Sequence, residues 1–125
     1  MMKTLPYKKI FMNAFIAFFI YGTWAYSANH IGAILSAFTQ GSMSFVNTFI
    51  LAISLEIIHI ISTNLIHLIL YVIGLFCLIV GTQAIVHYII GTENILLTLL
   101  PGMTIGTLYM IIYLLNLYKG NNDIK

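Results

Sequence analysis

The stretch 46–90, VNTFILAISLEIIHIISTNLIHLILYVIGLFCLIVGTQAIVHYII, decides the fold. Its only Asp, Glu, Lys or Arg is Glu56. A polar triplet, Ser62-Thr63-Asn64, divides it into two apolar runs. A helix needs roughly 20 apolar residues to cross a hydrocarbon core of about 30 Å. Neither run alternates apolar and polar residues as a barrel strand does, so both are expected to be helices. The stretch therefore predicts a membrane hairpin that turns at residues 62–64.

Two further apolar runs flank this hairpin, near 10–27 and 95–118. The expected fold is an all-α integral membrane protein with four transmembrane helices. The spans fall near 10–27, 43–62, 65–90 and 95–118, within one domain covering 1–125. Composition agrees. Of 125 residues, 61% are hydrophobic and 6% charged, with a mean hydropathy of +1.02. Soluble domains carry about a quarter charged residues. A soluble globule and a disordered chain are excluded. There is no Arg, and the Lys residues (Lys3, Lys8, Lys9, Lys119, Lys125) sit in the tails. No basic patch exists to follow a nucleic acid backbone.

Charge also sets the expected orientation. Lys flanks the first span on its N-terminal side and the last on its C-terminal side, and positive ends stay cytoplasmic. Both termini on one side requires an even number of spans, as counted. Trp24, Tyr26 and Tyr88 then fall at the outer interface, and Tyr7 and Tyr118 at the inner one. Lys without Arg, with abundant Ile and Asn, fits an AT-rich coding genome, and a bacterial cytoplasmic membrane is expected. The first span also has the basic start and small-residue ending (Ala25-Tyr26-Ser27) of a signal peptide. Its apolar run is long enough to span, so a retained helix is expected.

Residues 31–62 are too many for one simple crossing, about 48 Å as continuous helix. Either the second helix is very long and tilted, or a break near Gly41 leaves a short separate helix over 31–39; the broken form is favoured. Small residues recur there at helical spacing, Ala28, Gly32, Ser36 and Ala33, Ala37, Gly41, which allows close helix contact. Pro101-Gly102 suggests a second break or kink, in the fourth span. Two interruptions toward one side would fit an outer cavity, but an ordinary proline kink is the favoured reading.

A carboxylate in hydrocarbon costs several kcal/mol unless paired, wetted or protonated, so Glu56 is the prime candidate. His59 follows one turn later on the same face. The hairpin returns His67 to a similar depth, and antiparallel order adds Asn13, Tyr113 and Asn116. This inner layer is expected to form a substrate- or ion-binding centre, with Glu56 the titrating or cation-binding group. The competing reading is interhelical glue. A second polar group, His30, Gln83, His87 and Glu93, could line an outer vestibule with Trp24, Asn29, Gln40 and Tyr88; an ordinary interfacial belt of hydrogen-bonding side chains is the favoured alternative.

Other chemistries lack their residues. Di-iron bundles need two Glu-x-x-His motifs and two further carboxylates, and only one motif is present. Zinc on His30, His87 and Glu93 matches by ligand type alone. Layered His pairs can ligate haem, but no Cys-x-x-Cys-His occurs. No cofactor, metal or catalytic residue is assigned, and no hydrolase motif or phosphate loop is found. Lone Cys77 forms no internal disulfide. Gly102-x-x-x-Gly106 and the Gly74/Gly81 pair suggest self-association. The expected function is a small transporter or lipid/solute translocator acting as a homo-oligomer among membrane lipids. The alternative is an accessory or assembly subunit of a larger membrane complex, or, with less support, a haem-binding redox subunit.

Overall fold

The computed structural model describes residues 5–123, with side chains through 119; Lys3 and Lys125 lie outside the described residues. The chain forms α1 (Tyr7–Ala28), α2 (Ala33–Ile61), α3 (Leu65–Ile89) and α4 (Ile95–Asp123). All four are long and apolar enough to cross a membrane. The protein is an all-α, four-helix membrane protein. In lipid the backbone must bond within its own segment, and uninterrupted helices do this. Large apolar side chains such as Phe19, Ile34, Leu78 and Leu96 point outward, as hydrocarbon surroundings permit.

Each helix packs on the next in sequence, and α4 closes against α1. The α1–α2 and α3–α4 loops meet at one end, called here the loop end. The 62–64 turn and the outer termini of α1 and α4 lie at the other, the terminal end. The turn is capped where the sequence places Asn64: its Oδ1 accepts from the His67 amide at 2.9 Å. This satisfies one of the amide donors that a helix start leaves unbonded.

The expected break at Gly41 does not occur. α2 runs unbroken for 29 residues, so no separate helix covers 31–39. Gly41 serves packing instead. A Cβ there would sit 2.8 Å from the Phe18 carbonyl oxygen, and one at Gly22 would sit 3.1 Å from that of Ala37. Glycine in a helix costs about 1 kcal/mol relative to alanine. Freeing unsatisfied backbone groups in lipid costs several kcal/mol each, so the glycine is kept inside the helix. At about 44 Å, α2 exceeds the slab thickness, which tilt or projecting ends accommodate.

Helix α4 also continues through Pro101. Proline has no N–H, so the Leu97 carbonyl loses its partner four residues on. The Trp24 indole N–H of α1 donates to that oxygen at 2.8 Å. The proline gap in α4 thus becomes a point of attachment for α1. Toward the terminal end, Leu55, Ile58, Leu68, Val72 and Met110 form an apolar core between α2, α3 and α4.

Candidate functional site

Two polar regions lie at opposite ends. At the loop end, polar side chains are buried. His87 and Gln40 are only 0% and 1% exposed, and Ser36, Asn29, Thr92 and Thr98 are also buried. Gln40 Oε1 lies 2.8 Å from His87 Nε2, and Thr92 Oγ1 lies 2.7 Å from His87 Nδ1. An amide oxygen only accepts, so Nε2 carries the proton, and in the uncharged ring Nδ1 accepts from the Thr92 hydroxyl. Ser36 in turn donates to Thr92 Oγ1 at 3.1 Å. The neutral imidazole has both nitrogens engaged.

Local sequence builds this contact. Gly91, at φ +75°, ends α3 in the left-handed region. The Gly91 amide then reaches the Tyr88 carbonyl, and the Thr92 amide reaches that of His87. This helix ending is the Schellman pattern. It folds Thr92 back over the His87 ring.

A second cluster ties α1 to the α3–α4 loop. Asn29 Nδ2 donates to Ala25 O and to Thr98 Oγ1, both at 2.8 Å. The Asn94 amide donates to Asn29 Oδ1, and Asn94 Nδ2 to Ala28 O. Glu93 Oε2 accepts the backbone amides of His30 and Ile31 at 2.9 and 3.1 Å. These bonds, that to His30 first, hold its carboxyl below the usual carboxylate range, and a nearby His30 charge adds to the effect.

In place of an outer vestibule, a buried plug therefore forms around His87. Gln83 and His87 are inside it, whereas His30 and Tyr88 are exposed and Glu93 faces backbone amides. Trp24 bonds Leu97. Among the described residues, no three His, Cys, Asp or Glu side chains converge on a metal position.

The polar lining continues inward along α2. The antiparallel Gln40–His87 bond sets the register, which puts Ser44 one turn on at the level of Gln83. Both residues are buried. One turn further, Asn47 Nδ2 is buried with no hydrogen-bond partner among the described residues.

The terminal end is open. A cleft of about 250 Å³ lies between α1, α2 and α4, and Lys9, Asn13, Glu56, Tyr109 and Tyr113 supply its polar lining. Apolar walls come from the start of α1 and from Ala52 and Leu55. Tyr113 donates its hydroxyl to the Leu55 carbonyl at 3.0 Å, which fixes the ring beside Glu56. Glu56 is half-buried, and no hydrogen bond or ion pair joins it to another described residue.

Of the expected inner layer, the structure brings together Asn13, Glu56 and Tyr113. His59, His67 and Asn116 are exposed and do not line the cleft. The His67 ring bonds Thr63 at 2.7 Å, within its own helix start. His59 lies about 60° around the helix from Glu56 (three residues at about 100° each), on the edge of the same face, and it is exposed beside the cleft rather than lining it. Lys9 and Tyr109 were not foreseen as site residues. Their spacing carried the signal: Lys9 precedes Asn13 by one turn, and Tyr109 precedes Tyr113 by one turn. Thr92, Asn94 and Thr98 gave none, because a polar loop reads as solvated until its partners are known.

Compared with family models, curated proteins and solved structures, the chain matches none.

Proposed function

We propose that the protein is a small membrane translocator whose ligand meets Glu56 in the terminal-end cleft. The carrying observation is a half-buried carboxylate, without a protein partner among the described residues, that shares a cleft with a lysine. A purely structural acid in this setting is expected to be bonded to a neighbouring helix. The cleft faces the cytoplasm in this reading, because the lysines gather at the terminal end, and the membrane is a bacterial cytoplasmic one. The protein acts as a homo-oligomer, since one bundle of this size leaves little room for a complete pathway. The hydrogen-bonded loop end fits a rigid part about which the open end changes.

The test is reconstitution into liposomes carrying an acyl-labelled phospholipid, with dithionite quenching to follow movement between leaflets. Wild-type protein accelerates movement, and Glu56→Gln lowers the rate at least tenfold. An equal rate in the variant removes Glu56 from the function. No acceleration by wild-type protein, with a stoichiometric partner after gentle extraction, favours an accessory subunit instead.

A further inference from the structure

We infer that the terminal-end cleft binds a zwitterionic headgroup, an ammonium joined to a phosphate, as in a phosphoethanolamine-type lipid. The inference rests on the reading that Glu56 meets a ligand, and it adds the ligand's chemistry.

The argument starts from charge. Lys9 and Glu56 line one cleft, yet no ion pair within 4.0 Å joins them. Lys9 is exposed at the cleft rim and Glu56 is half-buried, so an ammonium and a carboxylate are both open to a ligand in the same cleft. A simple cation satisfies Glu56 alone, and a simple anion satisfies Lys9 alone. A ligand carrying both charges satisfies both and leaves the cleft neutral. The neutral side chains suit the same ligand. Asn13 and Tyr109 can donate to phosphate oxygens, while Tyr113, whose proton goes to Leu55, keeps its oxygen free to accept from an ammonium.

Position agrees. Lys9 is the third residue of α1, and Glu56 lies five residues from the end of α2. That places the acid about 8 Å along its helix from the terminus, near the depth at which lipid headgroups meet the hydrocarbon. The apolar wall at Ile10, Ala52 and Leu55 continues the cleft toward the membrane interior, where a glycerol backbone and acyl chains would lie.

The experiment uses the full chain, delipidated in detergent and examined by native mass spectrometry and thermal shift. The probes are dioleoyl phosphatidylethanolamine, dioleoyl phosphatidylglycerol and soluble phosphoethanolamine. Phosphatidylethanolamine is expected to be retained at least tenfold better than phosphatidylglycerol. Glu56→Gln and Lys9→Gln should each lose most of that preference while keeping the ligand-free melting temperature. Competition by phosphoethanolamine supports recognition of the headgroup. Binding of phosphoethanolamine without the lipid keeps the ligand class and assigns a soluble source. Equal retention of the two lipids, or an undiminished preference in Glu56→Gln, overturns the inference. Headgroup binding without transbilayer movement would refute the translocator reading alone, and movement without headgroup preference would refute this inference alone.

Discussion

At the scale of single residues, buried polar groups behave according to whether they are matched. Gln40 and His87 are matched, and removing one strands the other in the bundle interior. Gln40→Leu should destabilise the protein by about 1–3 kcal/mol, measured by unfolding in detergent. The double variant with His87→Leu should cost less than the two single changes together, because the Gln40–His87 pair is then removed as a unit and neither member is left facing the other's absence. Asn47 presents the opposite case, a half-buried residue whose Nδ2 is buried without a partner among the described residues. Asn47→Leu should raise stability by about 1 kcal/mol. A fall instead would mean that a polar occupant satisfies the amide. Gly41 has no room for a side chain, with 2.8 Å to the Phe18 carbonyl. Gly41→Ala should cost about 1–3 kcal/mol through overpacking. Had the glycine marked a break, the same change would strengthen the helix.

At the scale of elements, the proline in α4 and the tryptophan in α1 form one unit. Trp24→Phe leaves the Leu97 carbonyl without a donor. In a Pro101→Ala background the helix supplies its own amide, so the cost of Trp24→Phe should shrink. Equal costs in both backgrounds would contradict the assignment. The loop end has a pH signature as well. The folded-state pKa of Glu93 is lowered from its ordinary 4.5, because two backbone amides favour the carboxylate. Its contribution is thus full above that ordinary value and lost as pH falls through the lower folded value. The amide signals of His30 and Ile31 should titrate together in that acid range, and Glu93→Gln should flatten both curves.

These elements also show what the sequence reveals. The spans and the turn at 62–64 are legible because lipid tolerates few alternatives to a continuous apolar helix. Gly41 and Pro101 are misleading for the same reason. Each is a breaker by local propensity, but the membrane penalises a broken helix more heavily than either residue does. Among polar residues, type marks Glu56 and His87 as unusual in a span. Partners are not legible, since Gln40 and His87 stand 47 residues apart and meet only through the α2–α3 register. Spacing along the helix groups His59 with Glu56, yet the cleft is set by where α1 and α4 lie.

At the scale of the whole molecule, one end is fixed and the other is accessible. The loop end is cross-linked by hydrogen bonds among α1, α2, α3 and the α3–α4 loop, while the terminal end opens a cleft between α1, α2 and α4. Self-association has a direct probe. Gly74, Cys77 and Gly81 share one face of α3, Cys77 is exposed, and the space around both glycines is open. If two copies pack through that face, mild oxidation in the membrane should yield a disulfide dimer, abolished in Cys77→Ser. A monomer under the same treatment would exclude that interface. The central claim concerns Glu56, a carboxyl kept in an apolar setting for a ligand. Its most direct measurement is labelling by a membrane-soluble carbodiimide, which reports whether the carboxyl is open to a lipid-borne reagent or covered by a ligand. A single adduct at Glu56, slowed when phosphatidylethanolamine is added and absent in Glu56→Gln, is the predicted result. A Glu56 that resists the reagent, or that reacts at one rate whether or not the lipid is present, would contradict the account.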